Sequence, residues 1–165
     1  IHSAERQLSR AIPKLAKAVS SEKLREMLQR RKEQGAILIE SLDEALEEME
    51  VSKARVKNAT IEGLIEDATQ HIDEINDEKM LDAALIGAVQ KVEHYCIAAW
   101  GTARAMGELF GQPKVVEAMQ TAIDEGKRYD EEMTQLAQSE VNPAMLDGGD
   151  DEDEGSSKKS SGKKK

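Results

Sequence analysis

The stretch KVEHYCIAAWGTARAMGELFG, residues 91–111, places a carboxylate and an imidazole in the middle of an apolar helical pattern. Leu81, Leu85, Val89, Val92, Cys96, Trp100 and Ala103 recur at helical spacing. At about 100° per residue, Glu93 lies about 40° from Val89, with Cys96 on its other flank, so Glu93 points inward. A carboxylate there is costly unless a cation or a metal meets it. Two more acids share this property. Glu5 lies one turn before Leu8 at the edge of an apolar stripe, and Glu125 adjoins Gly126 near the edge of another. Inward carboxylates from several helices are the ligand type of di-metal centres. The candidate metal ligands are therefore Glu5, Glu93 and Glu125, fewer than a di-iron site normally has. The competing reading is an ion pair of Glu93 with Arg31.

The other reactive side chains point elsewhere. His94 lies about 100° from Glu93 on the helix, toward the surface or a helix interface. His2 and His71 fall on outer faces. Cys96 has no evident cation or helix N-terminus to lower its pKa and reads as a small core residue. Tyr95 and Trp100 read as packing or interface residues. Small residues at Ala98, Ala99, Gly101, Ala103 and Gly107 permit close approach of a neighbouring helix. The chain holds no Gly-rich phosphate loop, no zinc spacing and no nucleophile elbow.

Positioning these residues takes four long helices. The first covers residues 1–19, with Leu8, Ile12, Leu15 and Val19 on one side and a potential kink at Pro13. The second opens after Ser20 or Ser21 and runs to Met49 on Leu24, Leu28, Leu38, Leu42 and Leu46. Its inward positions at the level of the candidate ligands are Arg31, Gln34, Gly35 and Leu38, with Glu33 turned away. Residues 51–60 read as a connection, and Thr60 caps a short amphipathic helix, IEGLIEDATQHIDEI. Asp77 opens the third long helix, which Gly111 and Pro113 end. The fourth covers 113–139. Short loops within each pair and a long link between the pairs are the connectivity of a ferritin-like bundle. A simple up-down-up-down bundle, with the short helix outside, is the alternative.

Composition agrees. The 165 residues are rich in helix formers and carry only 2% aromatics, which argues against base-stacking platforms. A net charge of −10 repels DNA and anionic membranes. A single cysteine permits no internal disulfide, which suits a reducing, cytoplasmic setting. No apolar run reaches membrane-spanning length and no signal peptide is visible. The start on Ile1 rather than Met predicts that residues precede it. After Asn142-Pro143 the chain turns acidic, DGGDDEDEG, and then basic, SSKKSSGKKK; neither run can bury apolar surface. The basic end could touch nucleic acid through phosphates, with the acids beside it competing.

SAERQL in the first helix, EGLIEDA in the short one, and DAALIGAVQKVEHYCIAAWGTARAMGELFG together resemble the YciE/YciF family of bacterial ferritin-like stress proteins, from Ser3 to Ala137. The resemblance implies a ferritin-like four-helix fold, dimerisation, stress-response expression and, in some members, a di-metal carboxylate centre, with no established reaction. Glu5 matches the family's first-helix Glu, and Glu93 the Glu before His-Tyr. Cys96 stands where the family has a further Glu. Arg31, Gln34 and Gly35 stand where it favours His, then Glu and Thr. Gly126 replaces the second of two adjacent Glu residues that begin at Glu125. The fold pattern is intact, whereas several ligand types are missing together, and Arg31 brings a cation to the space a metal would fill.

The sequence thus predicts an all-α, ferritin-like four-helix bundle over residues 1–139, with a long crossover carrying a short extra helix. Residues 140–165 are expected to form a disordered acidic, then Lys-rich tail. The expected role is that of a stress-associated structural or binding protein, cytoplasmic, forming a homodimer or larger homo-oligomer, whose di-metal site has eroded. Two alternatives stay open. One is a di-iron or di-manganese protein with oxidase or iron-handling activity, leaving iron, manganese or no cofactor as the choices. The other is nucleic-acid association through the tail. No membrane partner is expected.

Overall fold

The computed structural model describes residues 1–53 and 56–146. Helix α1 spans His2–Ala18, α2 Glu22–Glu48, α3 Ala59–Glu74, α4 Glu78–Leu109 and α5 Pro113–Leu136; a π-helical turn, Ala137–Val141, then leads into α6, Asn142–Leu146. Among the described residues every regular element is helical. The expected tail beyond residue 146 lies outside the described residues. Between 140 and 146 the chain is helical, and Val141 is buried against the bundle.

The helix ends follow local chemistry. The Ser21 hydroxyl accepts from the Leu24 amide, and the Asp77 carboxylate from the Met80 amide, so each satisfies a donor that the first turn leaves open. Asn58, rather than Thr60, caps α3: its Oδ1 accepts from Ile61 N at 3.0 Å. Gly111, at φ 64°, lets the chain leave α4 while Gln112 N bonds back to Gly107 O at 2.8 Å. Helix α1 continues through Pro13. The proline ring lies on the exposed face, clear of the core contacts.

Turns of a few residues pair α1 with α2 and α4 with α5, while α2 packs on α5. Helix α3 is not an outer appendage. It packs against both α1 and α4 and closes the bundle there, burying Ile61 and Ala68. The core is continuous, from Leu8, Ile12 and Leu15 of α1 through Leu24 and Leu28 of α2 to Leu85 of α4 and Met119 and Met133 of α5. At Gly107 a Cβ would lie 3.1 Å from Val116, so that glycine does permit close approach of α5; at Gly101 a Cβ would meet open space.

Candidate functional site

Three helices bring charge to one buried point. Glu5 on α1 and Glu93 on α4 are each 1% exposed, and Arg31 on α2 is 5% exposed. Arg31 Nε donates to Glu93 Oε2 at 2.8 Å. Its two terminal nitrogens donate to Glu5, Nη1 to Oε2 at 3.1 Å and Nη2 to Oε1 at 3.3 Å. The guanidinium therefore engages both carboxylates and lies over Trp100, 5.5 Å from the ring centre. Such a planar fork suits paired carboxylates and an aromatic face as a lysine would not.

Two glycines make the room. A Cβ at Gly35 would lie 3.1 Å from both Arg31 Nη1 and Glu5 Oε2. A Cβ at Gly126 would lie 2.7 Å from Trp100 Cζ3 and 3.0 Å from Glu93 Oε1. Any larger residue at 126 would displace the indole or the carboxylate.

The charges do not balance: two buried carboxylates meet one guanidinium. Burial pushes the Glu93 carboxyl up against the lowering pull of Arg31, and the charges of Glu5 and Asp130 add to the rise. Burial also works against the charge on Arg31, but Glu93 and Glu5 outweigh it and hold its pKa well above the ordinary arginine value. Glu93 Oε1 has no hydrogen-bond partner among the described residues. Burial, then the neighbouring Glu5 and Glu93, push the Cys96 thiol up, so it stays protonated and unreactive. Burial and Glu93 likewise push up the Tyr129 phenol.

Of the three predicted ligands, Glu5 and Glu93 meet, and they meet at Arg31. Glu125 is half-buried and lines an adjoining cleft, beside Gly126. This arrangement is a poor fit for a metal pair. Three of the four oxygens of Glu5 and Glu93 already accept from Arg31, and a dication between them would face a guanidinium. Among the described residues no three His, Cys, Asp or Glu side chains gather to hold a metal ion. His94 is exposed and lies 3.4 Å from Asp130. His2 departs from its expected outer position: its side chain is 13% exposed and Nε2 lies 2.7 Å from Asp43 Oδ1.

Two polar hubs, the buried Asp82 and the half-buried Asn58, escaped sequence reasoning. Asp82, 3% exposed, accepts from Ser20 N at 2.9 Å, Ser20 Oγ at 2.7 Å and Ser21 N at 2.8 Å, pinning the α1–α2 turn to α4. A signal existed, because Asp82 lies about 20° from Val89 on the helix, closer than Glu93 does. Asn58 gives its Nδ2 hydrogen to Tyr95 Oη at 2.8 Å and its amide to Gln7 Oε1 at 2.8 Å, tying α3 to α4 and α1. Nothing in its local sequence foretells those distant partners.

The profile of a protein family described as a domain of unknown function, DUF892, matches residues 1–146. Protein YciF of Escherichia coli strain K12 is 40% identical over 142 residues, covering 86% of each chain. The crystal structure of the E. coli stress protein YciF superposes with a TM-score of 0.81 at 40% identity, over 86% of this chain and 89% of that one. YcfI, a candidate structural protein from Rhodopseudomonas palustris, superposes with a TM-score of 0.77 at 32% identity, over 81% and 85% of the two chains.

Proposed function

The chain belongs to the DUF892 family, the YciE/YciF group that its sequence resembles, and from that premise we propose that it is a stress-associated helical bundle acting as a structural or binding protein, with an arginine in place of a metal. The observation that carries this reading is the Arg31 guanidinium bonded to both Glu5 and Glu93. A covalently attached cation offsets part of the buried carboxylate charge, takes up the space between the acids and offers no open coordination position for oxygen or substrate. The described helices include none long and apolar enough to cross a membrane, in keeping with the cytoplasmic setting proposed here.

Elemental analysis tests the reading, on protein purified without chelator or His-tag and then incubated with ferrous iron in air. Metal well below one per chain, with no accelerated iron oxidation, is the expected result. Near-stoichiometric iron or manganese would overturn it in favour of a metal-handling protein.

The same proposal includes a homodimer or larger homo-oligomer. Met106, Leu109 and Phe110 at the α4–α5 turn are more than half exposed, an apolar end of the kind that pairing would cover. Light scattering coupled to size exclusion tests it, with a monomer mass as the contrary outcome.

A further inference from the structure

Beside the triad, between α2 and α5, lies a cleft of about 310 Å³. It follows α2 from Arg31 to Glu44, thirteen positions or about 20 Å of helix. Its floor is formed by Arg31, Glu93, Trp100, Glu125 and Gly126. Leu38, Ile37, Ala118 and Ala122 give its middle an apolar lining, interrupted by Gln34, Ser41 and Thr121, and Glu44, Glu117 and Lys114 stand at its other end. Lys114, the cation there, is paired to Glu48. The cleft is thus long and greasy, with acids at both ends.

The floor holds one cation, Arg31, already shared between Glu5 and Glu93, against the carboxylates of Glu5, Glu93 and Glu125. The buried triad carries one carboxylate more than it has cations, and Glu93 Oε1, nine-tenths buried and more, has no partner among the described residues. An unpaired buried acceptor is expensive, and an ammonium group would repay both deficits. Converging oxygens would be needed for a hard metal ion, whereas these acids are spread along the cleft. Apolar walls between separated acids suit methylene chains between separated amines.

We propose that the α2–α5 cleft binds a linear aliphatic polyamine, one ammonium at the floor beside Glu93 and Glu125 and another at the far end between Glu44 and Glu117. This goes beyond the proposed structural role and does not depend on it. The overall negative charge assists capture of such a ligand.

The chain's one tryptophan, Trp100, lines the floor and reports occupancy by fluorescence. Spermidine and putrescine are titrated into the full chain by calorimetry and fluorescence, with ionic strength matched by sodium chloride and butanediol as the uncharged control. The expected result is one saturable site per chain, spermidine tighter than putrescine, and no binding of butanediol. Ala118→Phe keeps every charge but plugs the cleft and should abolish binding. Glu125→Gln should weaken it about tenfold, the worth of one charge-assisted hydrogen bond. Absence of saturation, equal binding of butanediol, or undiminished binding by Ala118→Phe would each overturn the proposal. Should that variant fail to fold, Glu125→Gln decides alone, with unchanged affinity as the refuting outcome.

Discussion

Arg31 and Glu93, 62 residues apart in the chain, share a hydrogen bond of 2.8 Å from Nε to Oε2 in the centre of the bundle. The bond joins α2 to α4, while the same guanidinium reaches Glu5 on α1. One side chain thus holds three helices at a single level.

Arg31→Leu should lower stability by about 3–5 kcal/mol, because it leaves two carboxylates buried without a cation. Urea unfolding followed by circular dichroism reads the change. A variant that unfolds at the same urea concentration as the parent would mean that the triad carries no net stability.

Glu93 supplies a pH test. Its folded pKa is raised by burial, with Glu5 on α1 and Asp130 on α5 adding to the rise and Arg31 on α2 opposing it. The sign follows: its contribution is fully present below the ordinary glutamate range and is lost as pH rises through the raised value. Glu93→Gln stays neutral throughout. The stability difference should therefore move in the variant's favour as pH rises through that window. Unfolding curves at stepped pH measure it, and a difference independent of pH would show that Glu93 keeps an ordinary pKa.

Asp82→Ala removes the acceptor for Ser20 N, Ser20 Oγ and Ser21 N at once. The expected loss is about 2–3 kcal/mol, the scale of hydrogen bonds to a buried charge. Hydrogen exchange at the Ser20 and Ser21 amides should accelerate in the same variant; protection equal to the parent's would place their partner elsewhere.

Helices α2 and α4 end alike but with different residues. Val51 N bonds to Leu46 O at 2.9 Å with Glu50 at φ 56°, just as Gln112 N bonds to Gly107 O with Gly111 at φ 64°. A left-handed backbone strains a glutamate and not a glycine. Glu50→Gly should therefore raise stability by about 0.5–1 kcal/mol even though glycine costs more backbone entropy. Thermal melting checks it, and a lower melting temperature would show that entropy outweighs strain there.

Much of the bundle was legible in the chain itself. The leucine stripes, the Ser21 and Asp77 caps, and the Gly111–Pro113 break are local chemistry, and each sits where its spacing predicted. The inward aim of Glu5 and Glu93 followed from the helical period alone, and the missing ligand types named Arg31 as a rival to metal. The period fixes which way a side chain leaves its helix, whatever lies opposite.

What lies opposite was decided only by packing. No local rule places Asn58 against Tyr95, sets Asp82 under the α1–α2 turn, or inserts α3 between α1 and α4. Nor could the chain by itself reveal that Gly35 and Gly126 are notches for the triad and the indole, or that α2 and α5 leave a cleft beside an unpaired carboxylate oxygen. Those facts depend on distances between helices tens of residues apart in sequence. Such distances are set by how whole side-chain surfaces interlock, a property that the periodicity of any one helix does not contain.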